Sequence, residues 1–216
     1  MTKLLFIESS PRKESSYSST VAYEFLESYK AANPDHEIEH LPLFEADLPP
    51  FTAQAANQKM ENIVSLMTGK GPIDADGEWA GVLREIERIK SADKVLLSAP
   101  MWNFSIPYRL KQWIDLVVQV GVSVMVNQKF EYVGQITDRP LQMVLASGSP
   151  YEARFPLESD GAKIDFQWAY LDYIFRFLGF TDISLLKVQP TGRPGPDLDA
   201  MISDMKEKAK AAGAAF

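Results

Sequence analysis

The stretch Asp93-Lys94-Val95-Leu96-Leu97-Ser98-Ala99-Pro100-Met101-Trp102-Asn103-Phe104-Ser105-Ile106-Pro107 decides the fold. It opens on an apolar run and leads into an amphipathic stretch, residues 108–121. Strand, turn and helix is the natural reading. The turn carries Met101, Trp102 and Phe104 where a surface turn would carry Gly, Asp or Ser. Large apolar groups at the carboxyl end of a buried strand make sense when something flat and apolar sits on them. In open α/β sheets, ligands bind in the crevice outside those carboxyl ends.

Four further strands are expected around this one. Lys3-Leu4-Leu5-Phe6-Ile7, Leu141-Gln142-Met143-Val144-Leu145 and Ile183-Ser184-Leu185-Leu186-Lys187-Val188 are short apolar runs. Runs of this kind suit a parallel sheet covered on both faces. Ile38, His40 and Leu41-Pro42-Leu43 fit a short strand at the sheet edge. Helical spacing marks 21–29, 54–67, 78–91, 164–179 and 197–212, the last ending at Gly213. Residues 69–77 read as a loop whose two acids lack the spaced ligands of a calcium site. Residues 122–136 alternate with period two and predict a hairpin-like arm. The 164–179 segment places aromatic residues on more than one face, which points to packing against a partner subunit. Five strands alternating with helices predict one α/β domain over residues 1–216, with a parallel sheet wound on both faces.

Composition narrows the function. With 46% hydrophobic residues, the 216-residue chain can bury a full core. A net charge of −7 argues against nucleic-acid binding. Zero cysteines remove disulfides, thiolate metal sites and cysteine nucleophiles together. No leader pattern and no membrane-length apolar run is present, so a cytoplasmic protein is expected. His36-Glu37-Ile38-Glu39-His40 matches HExxH formally, but Pro34 and Pro42 bracket it. On a strand the two histidines would stand about 13 Å apart, too far to share a metal.

Three loops at carboxyl strand ends carry distinct chemistry. The first spans residues 8–20, of which six are serine, before the helix. Hydroxyls and unpaired N–H groups at a helix N-terminus suit a phosphate. The second, Met101-Trp102-Asn103-Phe104, offers flat apolar faces and one amide, suited to a heteroaromatic ring. The third, Ser147-Gly148-Ser149, lets a ligand approach the backbone closely. Neither a dinucleotide fingerprint nor a P-loop is present. Flavin mononucleotide (FMN), with one phosphate and one such ring, fits all three loops.

The runs Ser9-Ser10, Ser16-Tyr17-Ser18, Pro100-Met101-Trp102-Asn103-Phe104-Ser105-Ile106-Pro107 and Leu110-Lys111-Gln112-Trp113-Ile114-Asp115, with Gly121-Val122, carry a resemblance. The chain resembles the FMN-dependent NADH-azoreductases, also described as FMN-dependent NADH:quinone oxidoreductases, of the flavodoxin-like superfamily. The resemblance implies a flavodoxin-like three-layer sandwich. Ser10, Ser16, Tyr17 and Ser18 would hold the FMN phosphate and ribityl, and Met101, Trp102, Asn103 and Phe104 would line the ring. Ser147, Gly148 and Ser149 would close its other edge, although Ser149 stands where the family often has a second glycine. It also implies a homodimer with flavin sites at the interface, and ping-pong transfer of two electrons from NADH or NADPH to a quinone or azo acceptor. No metal and no protein acid or base is required; the Asn103 amide could stabilise charge on the ring. One alternative is a flavodoxin-like electron carrier without its own NAD(P)H turnover. A hydrolase built on Ser147-Gly148-Ser149 would lack a nearby histidine and a nucleophile elbow.

Overall fold

The computed structural model describes residues 1–68, 77, 79–151 and 165–216. The elements in chain order are β1 (Lys3–Glu8), α1 (Tyr17–Ala32), β2 (Glu37–Pro42), α2 (Ala53–Met67), α3 (Trp79–Lys90) and β3 (Lys94–Pro100), then α4 (Tyr108–Val117), β4 (Val124–Val126), β5 (Tyr132–Gly134), β6 (Leu141–Ala146), α5 (Phe166–Leu178), β7 (Ile183–Val188) and α6 (Pro196–Ala215). The loop expected at 69–77 lies, Gly77 aside, outside the described residues. So do Glu78 and Ile164, at the expected starts of two helices.

Five strands form one parallel sheet in the order β2-β1-β3-β6-β7. The apolar runs are continuous because both faces are covered. Leu5, Ile7, Val95, Leu97 and Met143 point to the side packed by α3, α4 and α5. Leu4, Phe6, Leu96, Val144 and Val188 point to the side packed by α1 and α6. The result is the expected three-layer α/β sandwich, with Glu37 to His40 forming the first part of the edge strand β2. The 122–136 arm is a separate antiparallel pair, β4 with β5.

Three boundaries differ from the sequence expectation. Helix α1 begins at Tyr17, so Ser18, Ser19 and Thr20 form its first turn rather than the preceding loop. Their hydroxyls turn to other groups than the first N–H groups: Ser18 Oγ lies 3.1 Å from Ser16 Oγ, and Thr20 Oγ1 donates to Ser16 O at 2.8 Å. Helix α4 stops at Val117, short of 121. The Ser123 hydroxyl turns back to Val117 O at 2.5 Å and so meets one orphan carbonyl of the helix end. Helix α6 runs through Gly213. A Cβ at Gly213 would stand 2.2 Å from Phe25 O, so this glycine permits close approach of α6 to α1 instead of ending the helix.

The sheet order positions the functional region. The connection after β1 leaves to the α1 face, and the connection after β3 leaves to the α4 face. Adjacent strands whose connections diverge in this way leave a crevice at their carboxyl ends, the topological switch point.

Candidate functional site

A cleft of about 240 Å³ opens at that switch point. Ser10, Arg12, Ser16 and Tyr17 line one side, from the β1–α1 connection and the start of α1. Pro100, Met101 and Trp102 line the floor at the end of β3. Ala146, Ser147 and Gly148 follow from β6, and Thr191 from beyond β7. One end is therefore rich in hydroxyls and the middle is apolar.

The polar end has the features of an anion site. Ser16 is the N-cap residue of α1, but its hydroxyl caps no N–H group and instead lies 3.1 Å from Ser18 Oγ. The backbone N–H groups of Tyr17, Ser18 and Ser19 find no acceptor among the described residues. Unpaired amides aimed outward from a helix N-terminus favour a negative ligand. Behind them Glu8, buried at the end of β1, accepts from Tyr23 Oη at 2.8 Å and meets His40 Nε2 at 2.9 Å. Burial pushes the Glu8 carboxyl up, but hydrogen bonds with His40 and Tyr23 outweigh it and hold the group below its ordinary value.

The apolar floor is a strained turn. Met101 N donates to Ala146 O at 2.7 Å, which extends the β3–β6 pairing by one residue. Trp102 and Ser105 then exchange two backbone bonds, N to O at 3.0 Å and 2.9 Å. Asn103 and Phe104 between them have φ of 47° and 68°. Two left-handed central residues match a type I′ turn, which normally takes Asn-Gly. A phenylalanine in that conformation costs about 1–2 kcal/mol. The turn holds Trp102 between two clefts: its ring packs on Phe44 at 5.5 Å and Tyr108 at 6.1 Å. On its far side lies a second cleft of about 680 Å³, lined by Phe51, Asn103, Tyr108, Gln112 and Tyr170 among others. Burial, with Asp115 nearby, pushes the Tyr170 hydroxyl up to about 12.

The third loop is braced from β7. Ser147 N donates to Val188 O at 3.2 Å, and Thr191 donates to Ser147 O through both N and Oγ1, each at 3.0 Å. Gly192 N donates to Gly148 O at 2.9 Å, and a Cβ on Gly192 would sit 2.7 Å from that oxygen. The close approach of two backbones explains the glycine.

Of the residues singled out in the sequence, the first cleft brings together Ser10, Ser16, Tyr17, Met101, Trp102, Ser147 and Gly148. Ser18 is buried beside Ser16, and Asn103 faces the second cleft. Phe104 packs edge-on against Tyr151 at 5.8 Å, while Ser149 O lies 2.9 Å from Ser147 Oγ. Sequence reasoning did not enlist Arg12, Pro100, Ala146 or Thr191. Arg12 and Thr191 had a legible signal, since both sit in loops that follow sheet strands. Among the described residues no group of three or more His, Cys, Asp or Glu could hold a metal ion. His36 meets Tyr29 Oη at 2.7 Å, apart from the His40–Glu8 contact, so the HExxH residues serve two different bonds.

A family model described as Flavodoxin-like fold matches residues 2–212. The chain belongs to this family. Within it, the chain is 42% identical over 200 residues to the FMN-dependent NADH:quinone oxidoreductase of Nitratidesulfovibrio vulgaris, covering 91% of this chain and 90% of that protein. It is 34% identical over 192 residues to the enzyme of the same name from Desulfotalea psychrophila, covering 88% and 86%. Among solved structures, the azoreductase from Bacillus anthracis aligns over 100% of both chains with a TM-score of 0.83 and 26% identity. The sheet order is the family's flavodoxin-like one, in which the switch point lies between β1 and β3.

Proposed function

We propose that this protein is an FMN-dependent oxidoreductase that passes two electrons from NADH or NADPH to a quinone or azo acceptor. The observation that carries the reading is the convergence of three strand-end loops on one cleft at the switch point, hydroxyl-rich at one end and apolar at its centre. The names of the relatives, FMN-dependent NADH:quinone oxidoreductases and an azoreductase, support the same cofactor, donor and acceptor class.

The donor set fits the cofactor. Ser10, Ser16 and the free amides of Tyr17, Ser18 and Ser19 would bind the phosphate. Met101 and Trp102 would support the ring, and the braced loop at Ser147, Gly148 and Ser149 would meet its polar edge. When bound, FMN supplies the two-electron chemistry between donor and acceptor. The protein's part is to hold, orient and shield. The Trp102–Phe44–Tyr108 set fixes one wall, and the Asn103 amide, held in the tight turn, faces the second cleft beside it. Donor and acceptor take turns in one opening, a ping-pong order that needs no protein acid or base.

A homodimer is part of the proposal. Phe166 and Tyr173 on α5 are 55% and 70% exposed, and Phe130 at the tip of the β4–β5 arm is 84% exposed. Exposed aromatic groups of this kind suit burial against a second copy. The test is steady-state oxidation of NADH at several concentrations of a simple quinone. Turnover with parallel double-reciprocal lines is expected. Intersecting lines would exclude the ping-pong order, and absence of turnover in an FMN-loaded protein would leave an electron carrier.

A further inference from the structure

We propose that Arg12 clamps the FMN phosphate, supplying the positive charge that the serine-rich site otherwise lacks. The assignment rests on the FMN reading above. Arg12 is the only charged side chain among the described residues that line the cleft. The remaining donors there are neutral hydroxyls and amides, whereas a phosphate monoester brings nearly two negative charges. The formal charges around the site oppose an anion: the whole chain carries −7, Glu8 lies buried behind the site, and Glu14 follows two residues after Arg12.

The backbone holds Arg12 in place. Its N–H donates to Ser10 Oγ at 3.3 Å, and its carbonyl accepts from Ser15 N at 2.9 Å. The chain then turns through Lys13, whose φ is +46°. The two neighbouring cations have different fates. Lys13 forms an ion pair with Glu45, across the loop after β2. Arg12 pairs with no carboxylate among the described residues, so its guanidinium is available at the mouth of the cleft. A planar guanidinium offers two parallel N–H donors to a phosphate, and a lysine would not reproduce that geometry.

The nicotinamide donor also carries phosphate groups, so the experiment separates the two sources. Dissociation constants of FMN and of riboflavin are measured on the full chain stripped of flavin, for wild type, R12Q and R12K, with NADH absent. R12Q is expected to weaken FMN about ten- to a hundredfold, leave riboflavin nearly unchanged and lessen the salt dependence of FMN binding. R12K is expected to recover part of the loss. Equal losses for the two flavins, or unchanged FMN affinity with a raised KM for NADH, would overturn the assignment. Failure of the wild-type chain to bind FMN would instead overturn the reading on which it rests.

Discussion

Glu8 shows how a single buried charge shapes the region behind the cleft. Its neighbours lower its pKa from the ordinary 4.5, so the folded protein holds fewer protons on it than the unfolded chain does. The stabilisation it contributes is therefore complete above about pH 4.5 and is lost as pH falls through the lowered folded value. Tyr23→Phe removes one donor to this carboxylate. It should cost about 2 kcal/mol at pH 7, and the cost should shrink as pH falls through the lowered folded value and the carboxyl takes up its proton. Urea unfolding of the two proteins at a series of pH values from 7 downward checks this; a pH-independent difference would contradict it. None of this network was legible in the sequence, because it joins residues 8, 23 and 40 across three elements. Trp102 was legible as part of a ligand loop, since its bulk had no place in an ordinary turn. Its use as a wall between two clefts was not, because that depends on Phe44 and Tyr108, which converge on it only once the chain is folded.

At the scale of elements, the strands were readable and some helix ends were not. Parallel strands covered on both faces announce themselves as apolar runs, and four of the five lie where such runs stand, while the edge strand β2 mixes Ile38 and Leu41 with charged and polar residues. Helix ends are set by local bonds that periodicity does not carry. The amphipathic pattern of α4 continues past Val117, yet the Ser123 hydroxyl meets the Val117 carbonyl and the chain turns. Gly213 is the clearest case. A glycine near a chain end reads as a helix stop, but here it is the point where α6 touches α1. Replacing a helical glycine with alanine normally gains about 1 kcal/mol. At Gly213 the new Cβ would meet the Phe25 carbonyl at 2.2 Å, backbone that cannot swing aside. Gly213→Ala is therefore expected to lower stability by about 1–3 kcal/mol. A raised melting temperature in thermal denaturation would contradict this packing.

At the scale of the whole molecule, sheet order turns separate loops into one site. The fold class followed from alternating strands and helices, but the order β2-β1-β3-β6-β7 comes from long-range pairing that no local pattern records. That order sets the β1 and β3 loops side by side and brings the β6 loop, braced from β7, against them. No helix among the described residues is long and apolar enough to cross a membrane. The central claim is that the cleft holds FMN and exchanges electrons through it. Anaerobic titration of the purified full chain with NADH tests this most directly. The account predicts visible flavin absorbance, released as FMN on denaturation, bleached by an equimolar amount of NADH and restored by a quinone. A colourless protein that takes up no added FMN, or bound FMN that NADH leaves oxidised, would contradict it.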